Sequence, residues 1–237
     1  MSVYSVAVDG PSGAGKSTLS KAVAQELGIV YVDTGAIYRS IGYYIFKMGI
    51  DPKDAGAVVG ALPMIRVDMR YSEDGMQHML LNGEDVTEKI RLPEISMYAS
   101  AVSAIPAVRD YLLDMQRDMA KRCSVIMDGR DIGTVVLPQA QVKIFISADV
   151  EVRARRRTAE LEQRGTPKPY AQVLEEMKER DWADSHRETA PLRPAEDAVV
   201  VDTTNMDFQQ SKEAILQVIG RQLQLLAAGI TPRYTTL

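Results

Sequence analysis

The segment Gly10-Pro11-Ser12-Gly13-Ala14-Gly15-Lys16-Ser17, with Thr18 after it, has the residue types and spacing of a phosphate-binding loop. Its glycines let consecutive backbone N–H groups turn toward one anion, and a helix starting beyond them adds about half a positive charge at its N-terminus. Lys16 supplies a mobile cation for the β- and γ-phosphates of a nucleotide. The Ser17 hydroxyl suits Mg²⁺. A plain tight turn would explain the glycines but not the lysine.

Further clusters carry charge suited to the same chemistry. Ser124-Val125-Ile126-Met127-Asp128 is an apolar run ending in a carboxylate, placed either to reach a metal through water or to cap the adjoining turn. Asp128-Gly129-Arg130-Asp131 sets two acids and an arginine in the next turn, as a phosphate clamp or as a salt-bridged surface turn. Asp33-Thr34-Gly35-Ala36-Ile37-Tyr38-Arg39 combines an acid, a hydroxyl and an arginine at a helix start, where Asp33 or Thr34 also serves as N-cap. Val173, Met177, Arg180, Asp184 and Arg187 are spaced to share one helix face, apolar at one end and charged at the other, with Trp182 on the opposite side. Buried arginines need anions, so this face lines either a polar cleft or an internal ion-pair network. Arg153, Arg156, Arg157 and Arg164 share a face of the preceding helix, which ends in Gly165-Thr166-Pro167-Lys168-Pro169. That is a mobile arginine-bearing lid or a solvated face paired with Glu151 and Glu160. His78 and His186 are too isolated for a metal site or a catalytic triad, and Cys123 lacks an activating partner; all three are read as structural.

These side chains require a scaffold. Val3 to Val8 predicts a buried strand, 16–27 a helix stopped by Gly28, and 29–32 a second strand, together a βαβ unit. Helices are expected over 36–48 and 55–62. Runs 65–71 and 76–81 flank Ser72-Glu73-Asp74-Gly75, which is hairpin chemistry, so 63–90 reads as a small antiparallel insertion. Helices over 93–104 and 106–122 each open on proline. Strands at 124–127, 142–146 and 198–201 alternate with helices over 149–164, 170–187 and 208–228. The fold class is therefore α/β, a mostly parallel sheet flanked by helices.

The 237 residues carry 28 basic and 32 acidic side chains, a net charge of −4, with 46 % apolar and 25 % charged content. Such values belong to a folded domain and exclude disorder. A mildly acidic chain gains little from a polyanion, so no nucleic-acid partner is expected. No apolar run approaches the about 18 residues of a membrane span, so no membrane association is expected. One cysteine and no basic, apolar leader indicate a cytoplasmic protein without an internal disulfide. A monomer is expected.

In their order along the chain, GPSGAGKST, DTGAIYR, GRDIGT, the RxxRR segment and KERDxxDxxR closely resemble the bacterial cytidylate kinases over nearly the whole length. The hairpin insertion adds to the likeness. The resemblance implies a P-loop kinase fold with a five-stranded parallel sheet, one domain spanning 1–237. It also implies an acceptor-binding subdomain at about 34–105 and an arginine-rich helical lid at about 149–170. ATP with Mg²⁺ is the implied donor, and CMP or dCMP the implied acceptor.

Carried over by motif, Gly10, Pro11, Ser12, Gly13, Ala14, Gly15, Lys16, Ser17 and Thr18 hold the ATP phosphates. Thr34, Arg39, Arg130 and Arg187 bind the acceptor phosphate, Thr34 standing where serine is frequent in the family. Tyr38 belongs to the same acceptor segment. Ser100, Arg109 and Asp131 read the cytosine, and Arg180 with Asp184 hold the sugar. Arg153 and Arg157 match lid positions. Lys16, Arg130, Arg180, Arg187 and Arg157 are the expected catalytic cations, and Ser17 and Asp128 the expected metal ligands. A kinase of shikimate or of another monophosphate shares the loop and lid but needs a different acceptor site. A GTPase would need an Asn-Lys-x-Asp guanine reader, which the chain lacks, and a regulator without turnover would need no such set of arginines.

Overall fold

A computed structural model of the chain describes residues 3–72, 75 and 77–229. It divides into two compact units, one built from the chain up to Ile29 and from Ser124 on, the other from Val30–Cys123.

The first unit begins with β1 (Ser5–Asp9), whose side chains are all buried, and turns through the glycine-rich loop into α1 (Lys16–Leu27). Gly28 ends this helix in the left-handed conformation and donates its N–H to Ala24. Leu19 and Val23 face the core as expected, while Leu27 lies at the surface. The second unit opens with β2 (Val30–Asp33), α2 (Thr34–Lys47) and α3 (Ala55–Ala61). Along α2, Ile37, Ile41 and Ile45 recur every four residues and are fully buried. Gly42 on the same helix lets α4 (Pro93–Ser103) approach, since a Cβ there would lie 2.8 Å from the Ala99 nitrogen.

The insertion is antiparallel, as the sequence predicts. β3 (Val67–Tyr71) pairs with β4 (Gln77–Leu81) in the register Val67 to Leu81, Met69 to Met79 and Tyr71 to Gln77. Glu73, Asp74 and Met76 of the expected turn and strand start lie outside the described residues. A short third strand, β5 (Glu84–Asp85), extends this sheet. Two residues are too few for a periodicity to show, and no signal in the sequence marked it. α5 (Pro106–Arg122) completes the unit.

The chain returns to the first unit through β6 (Val125–Gly129), β7 (Val142–Ser147), α6 (Val150–Gln163), α7 (Tyr170–His186), β8 (Val199–Asp202) and α8 (Phe208–Ala227). The strand order of the five-stranded sheet is β2-β6-β1-β7-β8. β1 runs parallel to both β6 and β7, so Asp9 lies beside Gly129 on one side and Phe145 on the other. The strand order reverses around β1, and the loop leaving its carboxyl end occupies the place where open α/β sheets bind ligands. The sequence predicts no element between β6 and β7; the structure has a wide π-type turn at Ile132–Val136, closed by Leu137 N–H donating to the Ile132 carbonyl at 2.7 Å. Among the described residues no helix is long and apolar enough to cross a membrane.

Candidate functional site

In the first unit the phosphate loop needs glycine for two distinct reasons. A Cβ on Gly10 would stand 2.1 Å from the Ile146 carbonyl oxygen, so only glycine lets the chain leave β1 so close to β7. Gly15, at the N-cap of α1, has φ 83°, a left-handed conformation that costs other residues energy. It offers no side-chain cap, so the first amides of α1 keep the character of an anion-binding site.

Lys16 is buried, and its ammonium donates to the Pro11 carbonyl at 2.7 Å, across the mouth of the loop. Burial, helped by the nearby Arg130 guanidinium and opposed by Asp128 and Asp9, holds its pKa well below the usual lysine range. A cation held so unfavourably gains more than an exposed lysine when polyphosphate arrives.

The Ser17 hydroxyl donates to Asp128 Oδ2 at 2.6 Å. Asp128 sits buried on β6 in register with Val8 of β1, which explains how an acid over a hundred residues away reaches the first turn of α1. A hydroxyl and a carboxylate in contact are hard oxygen donors of the kind Mg²⁺ takes, and a nucleotide-bound Mg²⁺ needs few protein ligands. They fit the metal reading of Asp128. Among the described residues no group of three or more His, Cys, Asp or Glu is gathered for a metal.

The turn after β6 and the end of α7 form a second charged group. Arg130 Nε donates to Asp184 Oδ2 at 2.8 Å, and Arg187 Nη2 lies 3.6 Å from Asp131 Oδ1. Arg187, immediately beyond α7, also donates from Nε to the Ala190 carbonyl at 2.7 Å. Burial works against the charge on Asp184, but Arg130, Arg180 and Arg187 outweigh it and hold the carboxyl below its usual range. The predicted face of α7 is therefore present: Val173, Met177 and Asp184 are buried, while Trp182 on the opposite side is 65 % exposed and stacks on His186. Val173 and Met177 pack with Ala154 and Leu161 of α6.

The single arginine face expected on α6 splits three ways. Arg153 is only 4 % exposed; its Nε donates to the Ala148 carbonyl, Nη1 to the Ser12 carbonyl at 3.0 Å, and Nη2 lies 2.7 Å from Asp181. It braces the phosphate loop from behind. Arg156 donates to the Thr203 carbonyl, and Arg157 and Arg164 both pair with Glu160. Spacing places these residues on one side of a helix; what the neighbouring loops offer decides where each guanidinium goes. Arg157 is half-buried and paired within its own helix turn.

In the second unit Asp33, and not Thr34, caps α2, its Oδ1 accepting the Ala36 N–H at 2.9 Å. Thr34 is buried as the first residue of the helix, and Arg39 Nη1 lies near Gly35, back over the helix start. Gln77 clasps the end of β2: its Oε1 accepts the Asp33 N–H at 2.8 Å and its Nε2 donates to the Asp33 carbonyl at 3.3 Å. The sequence reading missed Gln77, because a glutamine on a hairpin strand carries no signal of such a partner. Arg109 of α5 is buried, lies 5.5 Å from the centre of the Tyr38 ring, and donates to the Ser103 carbonyl at 3.2 Å. Ser103 Oγ in turn donates to the carbonyl of Ser100. Arg109 thus joins Tyr38 of α2 to the end of α4, where Ser100 lies one turn before Ser103. His78, paired with Asp85, and Cys123, directed at the Met119 carbonyl, lie in none of these groups.

Residues 6–221 match a family model described as cytidylate kinase. The chain is 50 % identical over 218 residues to a protein named cytidylate kinase from Caldicellulosiruptor bescii, covering 92 % of this chain and 96 % of that one. It is 47 % identical to one of the same name from Caldicellulosiruptor saccharolyticus, covering 94 % and 100 %, and 45 % identical to one from Oceanobacillus iheyensis, covering 90 % and 93 %.

Proposed function

The chain belongs to the cytidylate kinase family, and from that premise we propose that it transfers the γ-phosphoryl group of ATP to CMP or dCMP, giving ADP and CDP or dCDP. The observation that carries the reading is the buried Lys16 at the mouth of a glycine loop whose amides carry no side-chain cap.

The amides of Gly13 to Thr18 and the Lys16 ammonium hold the donor phosphates. Ser17 and Asp128 would hold Mg²⁺, which supplies charge neutralisation on the β- and γ-phosphates when bound. Thr34, Arg39, Arg130 and Arg187 take the acceptor phosphate, Tyr38, Ser100, Arg109 and Asp131 the base side, and Arg180 with Asp184 the sugar. Transfer joins two polyanions in line and needs little covalent work from the protein, so these fixed cations and donors supply the catalysis by position and charge. Lys16, Arg130, Arg180 and Arg187 are the cations for that task, and Arg157 is the lid arginine suited to join them. No base is needed, because the acceptor phosphate has a second pKa near 6 and is ionised at neutral pH.

The direct test is product analysis by ³¹P NMR after incubation with ATP, Mg²⁺ and CMP. Equal amounts of ADP and CDP are expected, and hydrolysis of ATP to ADP and phosphate without CDP would refute the transfer.

A further inference from the structure

Asp9 ends β1 and is 3 % exposed, one residue before the phosphate loop. Its Oδ1 accepts the N–H of Ile132 and its Oδ2 the N–H of Gly133, each at 2.7 Å. These amides open the π-type turn that comes after Arg130 and Asp131. The first amides of any helical turn lack intrahelical partners and call for a cap. Asp131 occupies the N-cap position, where an aspartate normally supplies that bond, yet its side chain does not cap. Asp9 caps the turn from another strand, and the Asp131 carboxylate lies instead beside Arg187.

We propose that Asp9 is a positioning residue for acceptor recognition: by capping the Ile132–Gly133 amides it fixes the turn that presents Arg130 and Asp131 and releases Asp131 from capping. The proposal rests on the reading of Arg130 and Asp131 as acceptor-binding residues. Two N–H donors call for two acceptor oxygens, which a carboxylate has and an amide side chain lacks. Space points the same way. A Cβ on Gly133 would lie 3.4 Å from Asp9 Oδ2 and 3.2 Å from Lys143 Cδ, so the bare glycine leaves the carboxylate and the turn in close contact without crowding. A buried carboxylate is costly unless its bonds are satisfied, and burial pushes the Asp9 pKa up to about 7. The two amides oppose that rise, as does Lys16, while Asp131 adds to it.

Asp9→Asn, made in the full chain, tests this through two readouts. Asn keeps the size but sets an NH₂ against one of the two amides. Hydrogen exchange at Ile132 and Gly133, measured by NMR, should accelerate by about tenfold or more while the amides of Val6–Val8 keep their protection. The KM for CMP should rise by about tenfold with the KM for ATP within about twofold of wild type. Unchanged exchange at both amides would overturn the proposal. So would faster exchange with an unchanged KM for CMP, provided Arg130→Ala raises that KM. If neither Asp9→Asn nor Arg130→Ala moves it, the acceptor reading of the turn fails and the proposal falls with it. Should Asp9→Asn not fold, Asp9→Ala removes both oxygens together with the cost of burying them and leaves the two amides uncapped. The same faster exchange and the same rise in KM for CMP alone are then expected, and an unchanged value of either contradicts the proposal.

Discussion

Arg130 and Asp184, 54 residues apart, are joined by a 2.8 Å hydrogen bond from Nε to Oδ2, with both side chains largely withdrawn from solvent. The bond fixes the turn after β6 to the charged end of α7. Every acceptor-side charge assigned to the first unit lies on these two segments, so their relative placement depends on this pair.

Removing one partner leaves the other charge buried. Asp184→Ala should destabilise the protein by about 3 kcal/mol in urea unfolding, and Arg130→Ala by a similar amount. The double variant should lose clearly less than the sum, since it leaves neither charge alone. Additive losses would show that the pair is not energetically coupled.

Lys16 leads to the opposite expectation for stability. Its charge is held against burial and the nearby Arg130, so Lys16→Met relieves a cost in the resting protein. Turnover should fall by roughly a thousandfold or more through loss of transition-state charge stabilisation, while the Tm holds or rises. A variant with near wild-type turnover, or one with a much lower Tm, contradicts this role.

The proposed function gives base choice to Asp131. An ionised carboxylate only accepts hydrogen bonds, which suits the cytosine amino group and repels the uracil carbonyl. The wrong base should cost about 2–3 kcal/mol, or about a thirtyfold to hundredfold preference for CMP over UMP in kcat/KM. Asp131→Asn should narrow that ratio chiefly by losing CMP, and an unchanged ratio would remove Asp131 from base recognition.

Asp9 predicts a pH dependence of known sign. Its pKa is raised to about 7 by burial, whereas an unfolded aspartate titrates near 4. Between these values the native state keeps a proton that the unfolded chain has released, so stability falls as pH rises through the window and the cost is fully present above it. Asp184, held low, acts the other way: its contribution is present above the ordinary aspartate value and is lost as pH falls through its depressed one. Tm measured from about pH 5 to about pH 8 should therefore fall more for wild type than for Asp9→Asn. Parallel curves would show that Asp9 does not titrate there.

Local chemistry made much of this legible in advance. The phosphate loop declares itself because only glycines and a lysine in that spacing serve an anion, and the face of α7 comes from helical period alone. The strands and helices of the sheet lie within a residue or two of their expected ends. What the sequence does not carry is partnership over distance. Asp9 meets Ile132 and Gly133 across 123 and 124 residues, and Gln77 meets Asp33 across 44. No spacing rule reaches that far. Arg153 resembled its neighbours on α6 until the Ser12 and Ala148 carbonyls and Asp181 gave it an inward place. No linker at Val30 or Cys123 marks the division into two units; the subdomain expected at about 34–105 comes from the family resemblance and not from local chemistry.

The most direct test of cytidylate transfer is a coupled ADP-release assay giving kcat/KM for CMP, dCMP, UMP, AMP and GMP with ATP and Mg²⁺. CMP and dCMP should exceed both purine monophosphates by at least about a hundredfold, the margin that a site built to hydrogen-bond cytosine achieves against the wrong base. Equal or faster turnover of AMP or GMP would contradict it.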